Sequence, residues 1–131
     1  MKVGDPSVLE LLELLGGVIA ADLMAVLDVV DEGQLMVRAA LGSLSHEGLV
    51  GWRVQLGERP QMARILEGDE PYLREELQHE HIDEDEEPDT YDGIVSLPAS
   101  HSCVVVPLRV GRRLVGAMTL YSTSGRTDVQ N

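Results

Sequence analysis

Two pairs of side chains that commonly bind metals stand out in this 131-residue sequence. His79 and His81 form one pair and His101 and Cys103 the other, each with a single residue between its members. On an extended backbone, residues two apart point to the same side, and imidazole together with thiolate suits Zn²⁺ or a redox-active iron. The four would form a metal site only if the two stretches meet in the fold. The sequence favours the alternative, in which the histidines are exposed or packed in the core.

Cys103 is the only cysteine, so it cannot form an internal disulfide. It begins an apolar run, where a thiol more often packs as a small hydrophobe than acts as a redox sensor. A chain without disulfides suits the reducing cytoplasm. We therefore expect a cytoplasmic protein in which Cys103 is buried at the start of a strand.

Three further side chains are candidates for a ligand pocket. Tyr91 and Arg64 flank a variable stretch, and because apolar pockets contain few polar groups, we expect both near a pocket mouth. Trp52 lies on the apolar side of a predicted helix, which favours a core anchor over a residue that stacks on a ligand. The candidate ligand-binding residues are Trp52, Arg64, Tyr91, His101 and Cys103.

The sequence contains few motifs that indicate catalysis. The sequence contains no Gly-x-Ser-x-Gly, no phosphate-binding P-loop and no His-Glu-x-x-His. Arg109, Arg112 and Arg113 surround a predicted turn, where solubilising charge is favoured over a contact with a partner or an anion. We predict that the protein is not an enzyme.

The acidity of the chain is confined to one segment. The formal net charge is −13, and thirteen of the 23 acidic residues lie between Glu67 and Asp92, where Arg74 is the only Lys or Arg. Nucleic acids and anionic membranes both need a basic footprint, so we expect neither as a direct partner. We assign residues 67–101 to an acidic variable insertion over the pocket, in which 83–92 form a mobile loop. The sequence shows neither the pattern of a signal peptide nor a run that spans a membrane.

The elements that position these residues begin with a hairpin over residues 103–122. Two β-rich apolar runs flank Gly111-Arg112, and Gly at the first central position fits a two-residue type II′ turn. Because both runs are apolar at nearly every position, we expect other parts of the chain to cover both faces of this ribbon. Pro107 lacks an amide hydrogen and predicts an edge or a bulge.

A second hairpin is predicted by the β-rich runs at 23–30 and 34–41, joined by Asp31-Glu32-Gly33. Before it, Ser7 has the capping-box spacing to a glutamate, which predicts a helix that ends at Gly16-Gly17 or continues to residue 20. The shorter predicted elements are a helix over 46–56 capped by Ser45, a strand over 61–66, a helix from Pro71 to about His79, and a helical turn at 94–97.

The chain resembles the GAF domain family at three stretches. They are the strand-turn-strand at 22–42, the pair Gly48-Leu49-Val50-Gly51-Trp52 and Gly57-Glu58-Arg59-Pro60, and the hairpin at 105–116. The first and third are generic, whereas the spacing of the second pair makes the combination fairly specific. The resemblance implies one α+β domain over 1–131, with a GAF-like (PAS-related) central antiparallel sheet of five or six strands, helices packed on its faces, and a small-molecule pocket.

The resemblance also restricts the ligand. GAF domains that bind cyclic nucleotides share an Asn-Lys-x(n)-Phe-x(3)-Asp-Glu signature, but this sequence has no Phe, and Lys2 is its only lysine. Members that attach a bilin carry their Cys before the hairpin, whereas Cys103 aligns with the first strand. Members that reduce free methionine sulfoxide use several cysteines. Cyclic nucleotide, covalent bilin and that reductase chemistry are therefore disfavoured, and the ligand remains unidentified.

The function implied by the resemblance is that of a regulatory module in bacterial-type signal transduction. We expect a small apolar or amphipathic effector to bind beside the sheet, the 67–101 segment to order over it, and the signal to reach a linked output domain or partner. The alternative is a ligand-free module for dimerisation or docking through the N-terminal helix. The sequence lacks the family's long C-terminal helix, which weakens the expectation of a homodimer.

Overall fold

An antiparallel sheet organises the part of the chain that the structure describes. The computed structural model describes residues 1–19, 21–68, 70, 72–78, 89–97 and 100–123, with 72–78 and 100 described by their backbone alone. The strands are β1 (Val3–Gly4), β2 (Leu23–Asp31), β3 (Gln34–Leu41), β4 (Arg53–Gln55), β5 (Tyr72–Gln78), β6 (Ser100–Val110) and β7 (Arg113–Ser122). The helices are α1 (Pro6–Gly16) and α2 (Pro60–Glu67), with 3₁₀ turns at Glu47–Leu49 and Leu56–Glu58.

The strand order is β1-β3-β2-β7-β6-β5, and β4 also pairs with β3. Every described pair is antiparallel. This arrangement confirms the predicted α+β class. The described sheet has seven strands instead of five or six because two very short ones, β1 and β4, add to it.

Both predicted hairpins are present, with two-residue turns at 111–112 and 32–33. Gly111 and Gly33 have φ angles of +62° and +74°, which glycine adopts without the steric cost that a Cβ imposes. The second turn is shorter than predicted, because Asp31 pairs across it. The two hairpins lie side by side through the pairing of β2 with β7, so their apolar runs form the middle of the sheet.

Pro107 lies where β6 has one open side among the described strands. β5 pairs with β6 only as far as Val105. Beyond that point the register between β6 and β7 shifts after Leu108. The structure therefore contains both features that the proline predicts, an open edge and a bulge.

The first helix begins one residue before the serine that was expected to cap it. The N-cap is Asp5, whose carboxylate accepts the backbone N–H groups of Ser7 at 2.9 Å and Val8 at 3.2 Å. Pro6 takes the first helical position, where a missing N–H costs nothing. α1 ends at Gly16, so the glycine pair terminates it. In the described ranges, no helix has the length and apolar character needed to cross a bilayer.

The strand predicted over 61–66 is wrong, because these residues belong to α2. Pro60 occupies the first position of the helix. Met62 and Leu66 are buried, and their spacing of four places them on the same side of the helix. Six residues are too few to distinguish the periodicity of a helix from that of a strand. Pro60, which favours the first turn of a helix, was the signal that could have identified the helix.

The helix predicted over 46–56 is also wrong. A three-residue 3₁₀ turn, the short β4 and a second 3₁₀ turn occupy this stretch. His46 caps the first turn in place of Ser45, since its Nδ1 accepts a backbone N–H at 3.1 Å. Gly51, with a φ of +91°, interrupts any continuous helix. Trp52 therefore lies in extended chain just before β4, not on a helix.

Residues 72–78 form the edge strand β5, so the helix predicted from Pro71 is wrong. The backbone pairs with β6 from Tyr72 to Gln78, and this pairing outweighs the helix propensity of the charged and leucine residues in the stretch. Of the predicted mobile loop, 83–88 lie outside the described residues, whereas 89–92 lie against the sheet.

Apolar side chains cover both faces of the sheet, as the central hairpin requires. On one face, which we call the α1 face, Leu12 of α1 packs with Met24, Ala39 and Leu120. On the opposite face, the α2 face, a larger cluster lies beneath α2, the 3₁₀ turns and residues 89–97. Its fully buried leucines and valines are Leu23, Leu27, Leu35, Val37, Leu49 and Val54. The polar residues described next lie among them.

Candidate functional site

Polar side chains meet on the α2 face beneath residues 89–97, which we call the cover segment. A turn shapes this segment, because the N–H groups of Ile94 and Val95 both donate to the carbonyl of Tyr91 at 3.0 Å. Opposite it, β6 and β7 present residues that alternate toward this face. These residues are His101, Cys103, Thr119 and Tyr121, all buried.

A hydroxyl pair joins the cover segment to the middle of the sheet. The hydroxyl oxygens of Tyr91 and Thr119 are 2.6 Å apart, and both residues are fully buried. The ring of Tyr91 also meets the ring of Tyr121 edge to face, with centroids 5.7 Å apart. Burial raises the pKa of Tyr91 above its ordinary value. At neutral pH its phenol is therefore a hydrogen-bonding group, not a base.

Tyr121 is the centre of the cluster. It lies opposite Cys103 in the β6–β7 register, and its hydroxyl hydrogen-bonds to the side chain of Thr90. Burial, followed by the negative charge that Cys103 or Asp89 would carry, raises the pKa of Tyr121 well above its ordinary value. Both phenols in this site are thus neutral donors and acceptors.

His101 and Asp89 add a contact between an imidazole and a carboxylate at the edge of the cluster. The His101 Nε2 lies 3.2 Å from the Asp89 carboxylate. The His101 side chain is 1% exposed, whereas that of Asp89 is 23% exposed. The imidazole also packs against the ring of Tyr121 at a centroid distance of 5.9 Å. Asp89 is therefore where the polar interior reaches solvent.

Three side chains from outside the cover segment hold it by its backbone carbonyls. The Trp52 indole donates to the Thr90 oxygen at 3.2 Å, and the Arg59 Nη2 donates to the Asp89 oxygen at 3.3 Å. His46 Nε2 lies 2.8 Å from the Ile94 oxygen. Because His46 Nδ1 accepts a backbone N–H, the ring proton lies on Nε2, which is the donor.

Arg59 carries a buried charge beside this site. It is the residue before α2, and it is 8% exposed. Its Nη2 bonds to the cover segment, but its Nε has no hydrogen-bond partner among the residues that the structure describes. A buried guanidinium with an unused donor makes Arg59 part of the candidate site.

The structure brings together three of the five residues that the sequence singled out. Tyr91, His101 and Cys103 meet around Tyr121 on the α2 face. Trp52 is half-buried, packs against the apolar cluster of the α2 face and bonds to the cover segment. Arg64 lies in the last turn of α2 with its side chain exposed. Their roles in ligand binding remain predictions.

The arginines at the 111–112 turn divide into two kinds. Arg109 donates to the carbonyls of Leu66 and Gly68 at the C-terminus of α2, and to that of Arg112 at 2.9 Å. It therefore holds the end of a helix whose carbonyls lack partners within the helix. Arg112 and Arg113 are exposed, as solubilising residues would be.

The described residues contain no arrangement of side chains that would bind a metal ion. Among them, no three His, Cys, Asp or Glu residues are placed to hold an ion together. His79 and His81 lie outside the described residues, so the four-residue arrangement, which the sequence disfavours, is not tested.

Sequence reasoning missed the residues on which the site depends most. Thr119 and Tyr121 are two apart in an otherwise apolar strand, and this polar pair on one face was a usable signal. Thr90 and Asp89 were hidden within the acidic segment. Arg59 belongs to the Gly57-Glu58-Arg59-Pro60 stretch, but nothing in the sequence indicated its burial, which depends on how α2 meets the cover segment.

Comparisons with known proteins agree on the fold. The GAF domain family model matches residues 5–130. The GAF domain of a two-component sensor histidine kinase from Bacillus halodurans has a TM-score of 0.67 and 16% identity, over 92% of this chain and 78% of that chain. The A. Aeolicus nlh2 GAF domain in an inactive state has a TM-score of 0.55 and 16% identity, over 88% of this chain and 64% of that chain. No curated protein matches significantly.

Proposed function

Because the chain belongs to the GAF domain family, we propose that it is a cytoplasmic sensory domain of signal transduction. It binds a small effector on the α2 face and passes the change to a linked output domain or partner protein. The B. halodurans domain that shares its fold belongs to a sensor histidine kinase, and this likeness of fold supports the role by analogy.

The buried polar cluster is the observation that carries the proposal. Burying hydroxyl, imidazole and carboxylate groups costs free energy that apolar residues in the same space would not. Here such groups converge from two separate parts of the chain, with Tyr91 on the cover segment and Thr119, Tyr121 and His101 on the strands. A few convergent polar groups within an apolar surround are typical of small-molecule sites.

The protonation states favour binding over catalysis. Burial raises the pKa of Tyr91 and Tyr121, so neither phenol removes a proton near neutral pH. Both remain available to donate and accept hydrogen bonds. A ligand that exchanges hydrogen bonds with them gains affinity without any reaction.

The cover segment is the element through which we expect the signal to leave. Its carbonyls are held by Trp52, His46 and Arg59, which lie before β4, at a 3₁₀ turn and at the start of α2. A ligand that separates Tyr91 from Thr119 displaces this segment and alters all three attachments. Binding thereby shifts the population between two conformations of the cover segment, one attached as described here and one displaced.

A thermal-shift screen of small metabolites tests the proposal. A compound that binds only the folded state must raise the melting temperature. We expect at least one compound to do so, with a smaller shift for Tyr91→Phe and an unchanged shift for Arg112→Ala, whose side chain is exposed at the 111–112 turn. If no compound raises the melting temperature, or if Tyr91→Phe responds as fully as the wild type, the α2-face site is not a sensor site.

Dimerisation through α1 is the second candidate function. Leu11 and Leu14 of α1 are 63% and 72% exposed, and Val18, two residues past the end of the helix, is 61% exposed, although apolar side chains on a helix usually face a core. With Ser7 they form a row spaced by four, three and four residues, which is symmetrical about its centre. Two antiparallel copies would place Leu11 of one copy opposite Leu14 of the other, as a two-fold interface requires.

Sedimentation equilibrium tests this candidate. We expect the wild type to dimerise with rising concentration and Leu14→Glu to stay monomeric, because the charge would lie inside the seam. Glu10→Gln, beside the row, is the control and should dimerise at least as well as the wild type. A wild type that is monomeric at every concentration rules out the interface.

A further inference from the structure

Arg59 is a positive charge held out of water with no described negative partner. It is 8% exposed. Among the described residues, ion pairs join Lys2 to Glu13 and Arg38 to Asp28, and the Asp89 carboxylate lies beside His101. Arg59 is in none of these contacts. Arginine is almost never fully buried unless it is paired, because removing its charge from water is expensive. This arrangement calls for a counter-ion.

The neighbouring carboxylate does not supply the missing charge. Asp89 offers Arg59 its backbone oxygen, 3.3 Å from Nη2, while its carboxylate lies 3.2 Å from His101 Nε2. The guanidinium therefore bonds to a neutral carbonyl at a long distance. A water molecule could satisfy the unused Nε–H, but it would not neutralise the charge.

The surroundings of Arg59 reinforce its preference for an anion. Arg59 is the N-cap of the eight-residue α2, and its side chain makes no capping bond. The positive end of the helix dipole thus lies at the backbone of the residue that carries the guanidinium. Both contributions have the same sign, and the guanidinium reaches the cover segment through its bond to Asp89.

We propose that Arg59 binds the oxyanion of the effector, a carboxylate or phosphate group, between the N-terminus of α2 and the cover segment. The inference rests on the proposed sensory function and names the ligand's chemical class. Nε–H and an N–H of Nη2 lie along one edge of the guanidinium, which matches two oxygens of such a group. Sequence reasoning anticipated an apolar or amphipathic effector, and this anchor requires an anionic one.

The same contact couples binding to the cover segment. The Arg59 Nη2 is one of the three described donors that hold the carbonyls of this segment. An anion that takes Nε and Nη2 bonds to the same nitrogen that holds the Asp89 oxygen, whose bond is the longest of the three. Binding of the anion is therefore linked to the Asp89 end of the cover segment.

Inorganic phosphate and succinate are suitable probes, each compared with sodium chloride at equal ionic strength. We expect both probes to raise the melting temperature of the wild type more than chloride does, and to shift the Arg59 Nε–H resonance in a ¹⁵N-labelled sample. Arg59→Met keeps the aliphatic stem and removes the charge. It should bind either probe roughly tenfold more weakly or worse, and melt no lower than the wild type without them.

Arg112→Met is the matched control, since it removes the same charge from an exposed side chain at the 111–112 turn. It should respond to both probes as the wild type does. An equal response of Arg59→Met and wild type, or a wild-type response no larger than that to chloride, overturns the proposal. The resonance shift needs no variant, so the test stands even if Arg59→Met fails to fold.

Neutral compounds separate this inference from the proposed function. If neutral hits from the metabolite screen stabilise wild type and Arg59→Met equally while phosphate and succinate do nothing, the sensory function stands and the role of Arg59 fails. If neither neutral nor anionic compounds stabilise the wild type, both fail.

Discussion

Tyr91 and Thr119 share a buried hydrogen bond of 2.6 Å across 28 residues of sequence. One lies in the cover segment and the other in the middle of β7, so this bond fastens the cover segment to the sheet from within. Trp52, His46 and Arg59 hold the backbone carbonyls of the segment, and His101 contacts the partly exposed Asp89 carboxylate. The response of the segment to a ligand should therefore depend on this pair.

Tyr91→Phe should lower the free energy of unfolding by about 1–3 kcal/mol, because it leaves the Thr119 hydroxyl buried without its partner. Urea denaturation followed by circular dichroism measures the change. Thr119→Val should show a similar loss, whereas the double variant removes both polar groups together. Its loss should be smaller than the sum of the two single losses, and strict additivity would mean that the pair does not interact.

Trp52→Phe should release the cover segment while leaving the sheet intact. The phenyl ring retains most of the apolar contact but has no donor for the Thr90 oxygen, so a partly buried carbonyl loses its partner. We expect faster amide hydrogen exchange in peptides that cover 89–97, and unchanged exchange in peptides from β2. Equal exchange in wild type and variant would show that the indole bond does not hold the segment.

Asp22→Asn should reduce stability in a pH-dependent way. The Thr123 hydroxyl and backbone N–H donate to the Asp22 carboxylate at 2.6 and 2.7 Å, and these bonds lower its pKa. Because the folded pKa lies below the unfolded value of about 3.9, the carboxylate stabilises the fold above that pH and loses this effect as the pH falls through the folded pKa.

At neutral pH we therefore expect Asp22→Asn to cost about 1–2 kcal/mol, measured as a lower urea midpoint. The difference from wild type should shrink as the same measurement is repeated toward pH 3. Glu32→Gln, at an exposed turn, should stay within about 0.5 kcal/mol of wild type at neutral pH. A cost of Asp22→Asn that is the same at every pH would contradict the role of the charge.

Gly116→Ala should be among the most damaging small substitutions. A Cβ at this position would collide with the backbone carbonyl of Leu27 on the paired strand β2, and two hydrogen-bonded strands cannot easily separate there. We expect a loss of about 1–3 kcal/mol or more, read from thermal denaturation. Gly57→Ala is the control, since nothing lies within 4 Å of the position that its Cβ would take, and it should be neutral or slightly stabilising. Similar melting temperatures for the two variants would contradict the close approach.

Local patterns predicted the centre of the fold but not its periphery. The two hairpins follow from glycine turns between β-rich runs, which are short-range signals. In contrast, residues 61–66 fit both helix and strand periods, and 72–78 contain good helix formers that pair with β6 instead. Tertiary pairing overrides weak propensity at the sheet edge, and a single sequence does not reveal that pairing.

The sequence indicated some residues of the site, but it did not indicate how they are arranged. Tyr91, His101 and Cys103 are residue types that suit a pocket, and their meeting depends on the β6–β7 register and on how 89–97 fold back. Arg64 illustrates the limit, because assigning its stretch to a strand gave no indication of which side of α2 it would occupy. Arg59 is buried only because α2 begins beside the cover segment, a contact between residues that are 30 apart in sequence.

The attachment of the cover segment through backbone oxygens has an evolutionary consequence. Every amino acid carries the same carbonyl, so the bonds from Trp52, His46 and Arg59 do not depend on the identity of residues 89, 90 and 94. Mutations at these three positions can thus change what the segment presents to a bound molecule while these three bonds persist. A domain that holds its binding segment in this way can change its ligand specificity during evolution while it keeps its fold.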